Sequence, residues 1–359
     1  MTTTPPAVLT VSTPADLLPL VPHLIGYQPM DAVVVMCLNG SLVGMCMVLG
    51  SDIDPEYVTP ADIDRAVVAL TKSEPTAAFV LCYETITGGS AGLAHRVAEA
   101  LRVKGLDLTD RLVITPTAWR HAACSCCPSE GNPLPSEESA AAQTYRKVKG
   151  TAPAASRAAL RARFTPTPRA AEVERTCAAL QGEGTPTAHA GIIAWGSILG
   201  SETPVADLPA STLATAALSL AHGTLRDTLV MALCPGLASA LGLGGRNAPE
   251  PTGNPWNGAE PTPRDLTRAL DRVVAVCADL PDAHVAQPLA TLAAACWWHG
   301  HSALGSIAAE RALLADSSCR LAQLVHTALG SRSPAHVCGR GSLSRSRGRE
   351  SIGQTVIKL

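Results

Sequence analysis

Two apolar runs separated by Asn39-Gly40 constrain the fold more than any other stretch of the chain. Val33-Val34-Val35-Met36-Cys37-Leu38 precedes the dipeptide, and Leu42 to Leu49 follows it. Asn-Gly between two such runs is the signature of a type I′ hairpin, because both central residues must take positive φ. The runs are continuously apolar rather than alternating, which predicts strands covered on both faces.

The flanking sequence supplies further strands and the helices to cover them. Val8–Val11 reads as a short strand. Ser12-Thr13-Pro14 then offers a hydroxyl cap with proline in the first turn. Leu17, Leu18, Leu20, Val21, Leu24 and Ile25 predict one apolar helix face ending at Gly26. Pro60–Leu70 is predicted as a helix capped by Thr59 or Asp62. Ala77–Tyr83 and Arg111–Thr115 read as strands, and Ala91–Val103 and Glu137–Val148 as helices. Strand and helix alternate from Val8 to Thr115, which points to a layered α/β domain with a mixed sheet containing the hairpin.

Beyond Pro209 the pattern changes to Ala- and Leu-rich helical runs, from Leu213 to Leu329. The expected organisation is an α/β domain over 1–165 and a connecting segment over 166–210, the latter with a helix at Ala170–Leu180. An all-α domain over 211–330 and a disordered basic tail over 331–359 complete it. Within the helical part, Gly242 to Pro263 reads as a Gly/Pro/Asn-rich loop. The tail assignment rests on Arg332, Arg340, Arg345, Arg347 and Arg349 among Ser and Gly.

Composition excludes several classes. Net charge is −2, so no global field attracts nucleic acid or an acidic membrane. With two Phe, four Tyr and five Trp in 359 residues, the chain lacks the stacking platforms of a single-strand binder. Twelve cysteines are too few for a disulfide scaffold, and most sit singly in apolar runs where a thiol behaves as a small hydrophobe. No basic-then-apolar leader pattern opens the chain, so a reducing cytoplasm is the expected setting. Ala283–Ala309 carries no Asp, Glu, Lys or Arg, but its histidines, Pro288 and many alanines predict two buried helices rather than a membrane span.

One dense cluster of reactive side chains stands out, from Trp119 to Gly131. His121, Cys124, Cys126 and Cys127 offer one imidazole and three thiols as soft ligands for zinc. Cys124 and Cys127 also have the Cys-x-x-Cys spacing of redox motifs. Against both, Cys124-x-Cys126 is tight for one tetrahedral centre, and no second Cys pair lies nearby. A structural loop with buried thiols is the competing reading. His299 and His301, beside Trp297-Trp298, fit a packed helical corner better than a ligand pair. Gly242-Leu243-Gly244-Gly245-Arg246 lacks the ending of a phosphate loop.

The residues in combination resemble a known family. Thr13-Pro14-Ala15-Asp16-Leu17-Leu18 and Val21-Pro22-His23-Leu24-Ile25-Gly26-Tyr27-Gln28-Pro29 look like the opening of an uncharacterised actinobacterial family, domain of unknown function 4192. Trp119-Arg120, Cys124, Cys126-Cys127-Pro128 and Gly131 resemble its central motif. Lys149-Gly150, Ser156-Arg157 with Leu160, Arg226-Asp227 and Trp298-x-Gly300 resemble later parts, as do Ala309-x-Arg311-Ala312-Leu313 and Asp316. The resemblance spans about Val8 to Gly330. It implies the two-part architecture and a bacterial cytoplasmic setting, and supplies no reaction.

Three functional expectations follow. The first is a non-enzymatic binding or regulatory protein whose helical half is a protein-partner surface. The second is a metal- or thiol-dependent enzyme using the 119–131 loop, with zinc as the candidate ion. The third is phosphate or nucleic-acid contact through the arginine-rich tail.

Overall fold

The computed structural model describes residues 8–50, 54–124, 127–136, 139–150, 152–240, 261–331 and 355–358. The chain divides into two units: an α/β unit running to Ala158 and including the C-terminal strand, and a helical unit beginning at Ala159.

The α/β unit opens with β1 (Val8–Val11), α1 (Pro14–Leu17), a 3-10 turn at Leu18–Leu20 and α2 (Val21–Ile25). A single helix was expected across this stretch. Pro19 and Pro22 lack the amide hydrogen that continues a helix, so three short segments form instead. Gly26 ends the last of them at φ 91°, a conformation glycine adopts without a Cβ penalty.

The hairpin follows as β2 (Ala32–Asn39) and β3 (Leu42–Leu49), antiparallel with Asn39 opposite Leu42. β2 is buried along its length up to Asn39, as its unbroken apolar run requires. β3 is half-buried, so the double covering expected for both strands holds for β2 alone. Next come α3 (Pro60–Thr71), β4 (Ala77–Tyr83), α4 (Ala91–Val103) and β5 (Asp107–Ile114). Thr59 caps α3: its hydroxyl accepts from the Asp62 amide, and Asp62 accepts in return from the Thr59 amide at 3.0 Å. β6 (Ala118–His121), β7 (Asn132–Pro133) and α5 (Ala140–Lys149) complete this stretch.

The mixed sheet has the order β1-β8-β3-β2-β4-β5-β6-β7, where β8 is Thr355–Lys358. β4 and β5 are parallel, joined through α4. Two apolar layers cover the sheet. On one face Val33, Val35, Val80, Cys82 and Val113 pack with Ile63, Val67 and Leu70 of α3 and with Leu93, Val97 and Leu101 of α4. On the other, Val34, Met36, Leu81, Tyr83, Leu112 and Ile114 pack with Leu17, Leu20, Val21 and Ala142. Each fully buried aliphatic side chain of this kind contributes about 1.5–3 kcal/mol.

The expectation of a disordered tail over 331–359 is corrected at Thr355–Lys358. This segment pairs antiparallel with β1, Val8 opposite Lys358 and Val11 opposite Thr355. Thr-Val-Ile is a β-branched run, and the arginine-rich composition that suggested disorder ends before it. Residues 332–354, with the arginines of the tail, lie outside the described residues.

The helical unit takes in the end of α6 (Arg157–Ala162), then α7 (Ala170–Glu183), α8 (Ala188–Gly200), α9 (Ala210–Ser219), α10 (Gly223–Leu233) and α11 (Leu237–Ala240). It continues with α12 (Pro263–Asp279), α13 (Asp282–Trp298), α14 (Ser302–Ala315) and α15 (Arg320–Ser331). The expected connection over 166–210 is corrected. It holds α7 and α8, which bury Val173, Cys177, Trp195, Ile198 and Leu199, too much apolar surface for a linker. Trp195 donates its indole N–H to the Ala216 carbonyl at 3.0 Å, tying α8 to α9. The predicted glycine-rich loop falls almost wholly on 241–260, outside the described residues.

α13 is buried on nearly all sides, and α14 folds back against it. No helix among the described residues is long and apolar enough to cross a membrane. At the α13–α14 corner His299 Nε2 lies 2.6 Å from the Leu233 carbonyl, and Trp298 donates to Pro235 O at 3.1 Å. These rings serve the otherwise unpaired carbonyls at the end of α10.

Candidate functional site

A bulge in β5 builds the site. Ala78 pairs with Leu108 and Phe79 with Asp110, so Thr109 is an extra residue on the β5 side. In a regular strand Leu108 and Asp110 would share a face. Here Leu108 packs in the layer under α3 and α4, while Asp110 falls in step with Leu112, which belongs to the opposite layer.

His121 sits opposite Leu112 in the antiparallel β5–β6 pair, one diagonal step from Asp110. The result is a contact of 2.6 Å between Asp110 Oδ2 and His121 Nδ1, with both side chains about a quarter exposed. The other carboxylate oxygen accepts from the Arg111 amide at 2.7 Å. Trp119 meets the imidazole edge-on, ring centroids 5.5 Å apart. With Nδ1 on the carboxylate, Nε2 is the ring nitrogen left for a proton or a ligand.

The cysteine loop is held by its own turn. Gly131 donates its amide to Pro128 O at 2.9 Å and adopts φ 83°. A Cβ at Gly131 would lie 3.1 Å from both the Ala118 Cβ and the Trp119 carbonyl, so a side chain there would crowd β6. This turn returns the chain to β7, where Asn132 pairs with Trp119. Cys127 is half-buried, and its sulfur receives the His121 amide at 3.5 Å and the Asn132 side-chain amide at 3.7 Å. Cys124 is exposed and disulfide-bonded. Cys126 lies outside the described residues.

Cys124 and His121 line one pocket of about 310 Å³ with Arg102, Leu108, Asp110, Arg111 and Ala123. The structure therefore joins two of the expected residues around a shared space and sets Cys127 beside them in the loop. Among the described residues, no three His, Cys, Asp or Glu side chains converge on a point that would hold a metal ion.

Arg102, Asp110 and Arg111 were not anticipated. Arg102 comes from the last turn of α4, and Asp110 owes its place to the bulge, so neither position is visible in local sequence spacing. The available signal was the polar Thr109-Asp110-Arg111 run directly before a buried strand.

The buried thiols elsewhere are poor nucleophiles. Burial pushes the Cys37 thiol up to about 11 and raises those of Cys234, Cys277 and Cys296 well beyond that. Cys82 is raised by burial and then by the Glu84 carboxylate, which accepts its S–H at 3.4 Å.

The chain belongs to the family described as Domain of unknown function (DUF4192), which matches residues 14–335. No curated protein and no solved structure matches it.

Proposed function

Starting from a family that supplies no activity, we propose that this protein is a thiol-dependent enzyme whose reaction site is the pocket beside the 119–131 loop. The observation that carries this reading is the Asp110–His121 pair opening onto the same space as Cys124. A carboxylate on Nδ1 fixes the tautomer and orientation of an imidazole, so that Nε2 takes or gives a proton.

The reaction class that suits an oxidised Cys124 is thiol–disulfide exchange. An incoming thiol gives its proton to His121 Nε2 and attacks the disulfide as thiolate. The old sulfur–sulfur bond breaks as the new one forms, and the departing sulfur takes the proton back from the imidazolium. A second thiol resolves the mixed disulfide, so the protein gains two thiols as the small molecule becomes a disulfide.

The test is the rate at which a small dithiol reduces Cys124, read by thiol titration at pH 7. His121→Ala and Asp110→Asn are each expected to slow it at least tenfold with melting temperature held. An unchanged rate in both folded variants overturns the proposal.

One observation favours a second reading, a zinc site formed in the reduced chain, with the Cys124 disulfide opened, by His121, Cys124, Cys126 and Cys127. Metal-bound histidines characteristically place their other nitrogen on a carboxylate, as His121 does on Asp110. About one zinc per chain on protein purified without chelator, lost in Cys126→Ser/Cys127→Ser, would establish it.

The partner-surface reading of the helical half has scattered exposed side chains behind it, such as Leu314 at 87% and Leu324 at 62%. Single exposed apolar residues are ordinary, so the pocket carries the proposal.

A further inference from the structure

Arg111 is half-buried, lines the reaction pocket, and its guanidinium makes no hydrogen bond or ion pair among the described residues. Two other half-buried arginines, Arg96 and Arg169, are engaged. Arg96 donates to Val58 O at 2.9 Å and Pro55 O at 3.1 Å, and Arg169 donates to Val205 O at 2.9 Å. Asp110, the acid adjacent in sequence, does not compensate Arg111. One of its oxygens is on His121, and the other takes the Arg111 backbone amide rather than the side chain. Arg102 lines the same pocket, held by an exposed 3.7 Å pair with Glu99 that constrains it little. It also offsets the negative end of the α4 dipole, which would otherwise repel an anion here.

We propose that Arg111, with Arg102, is the binding site for an acid group, a carboxylate or a phosphate, on the small molecule that reacts at Cys124. A guanidinium presents a planar fork that matches two oxygens of either group. The Arg111 charge has no carboxylate partner among the described residues, and a pocket of about 310 Å³ admits a small metabolite. The substrate class is a low-molecular-mass anionic thiol or its disulfide. This inference rests on the pocket being the reaction site, and anion binding is measured separately from the proton relay.

The probes are inorganic phosphate and malonate, titrated into the full chain by calorimetry, with chloride at equal ionic strength as the reference. Saturable binding of either anion, weakened at least tenfold in Arg111→Ala and partly restored in Arg111→Lys, is the expected result. Phosphate alone would mark a phosphate ester and malonate alone a carboxylic acid, while binding of both supports a general acid-group site. Arg65→Ala, on an exposed pair with Asp62 in α3, is expected to bind as the unaltered chain does. Binding equal to that of chloride, or undiminished in Arg111→Ala, overturns the inference. If Arg111→Ala does not fold, Arg102→Ala and Arg111→Lys carry the comparison. Anion binding by the unaltered chain without thiol exchange, or exchange without anion binding, shows which of the two readings fails.

Discussion

A Cβ placed on Gly191 would lie 2.3 Å from the Ser219 hydroxyl oxygen and 2.4 Å from Leu225 Cδ2, so α8 and α9 touch through a glycine. No rotamer change relieves a contact that also includes the Ser219 Cβ at 2.4 Å. Gly191→Ala therefore forces the helices apart, at a cost of about 3 kcal/mol, the upper part of the usual overpacking range. Gly196, on the same helix, has open space around it. There alanine is expected to stabilise by about 0.5–1 kcal/mol through helix propensity. Urea denaturation of the two variants, moving in opposite directions, checks the pair.

Gly131→Ala tests the cysteine loop. At φ 83° and with two 3.1 Å approaches, alanine is strained in both backbone and packing, about 1–3 kcal/mol. Loosening this turn also weakens the donors to Cys127. Alkylation of Cys127 is expected to quicken in the variant, and peptide mapping by mass spectrometry reads it directly.

Asp279 is the anchor of the α7 start. Its carboxylate accepts from Thr167 Oγ1 at 2.6 Å and from Arg169 at 3.2 Å, and the residue is 6% exposed. Arg169 is bonded in addition to the carbonyls of Val205 and Leu208. Removing the acid in Asp279→Ala leaves a half-buried guanidinium without its counter-charge, about 1.5–3 kcal/mol. Arg169→Met/Asp279→Ala should cost less than the two single changes together, a coupling that a double-mutant cycle in urea measures.

The Cys37 thiol gives a signed pH prediction. Burial raises it from 9.0 to about 11. A group whose folded value lies above its unfolded one contributes stability that is complete below pH 9 and is lost as the pH rises towards 11. Chemical denaturation at pH 8 and pH 10 should show a lower midpoint at pH 10. Cys37→Val, which keeps the core apolar, should reduce that difference.

Much of the architecture was legible in the residues. Asn39-Gly40 marked the hairpin, but not as the expected type I′ turn: Asn39 stays in β2 opposite Leu42, and of the turn residues Gly40 and Ser41 only Gly40 takes a positive φ, 62°. Thr59 with Asp62 specified a helix start because each satisfies the other's backbone amide. α8 escaped notice. Its Ala188–Gly200 run is apolar with little polar face, so the periodicity that marks an amphipathic helix is weak there. The break of the first helix into three was present in Pro19 and Pro22, but the apolar spacing masked it.

The site divides in the same way. His121 and the cysteines are neighbours in the chain, so sequence alone put them in one loop. Asp110 and Arg111 reach them through a single extra residue in β5, and Arg102 through the return of α4 along the sheet. By itself the sequence determined most of the strands and helices, since local propensity, caps and turns act within a few residues, whereas α8 and β8 were decided by the partners they pack or pair with. Tertiary structure decided which charges meet the imidazole, because a bulge changes strand register and register is set by pairing with distant residues.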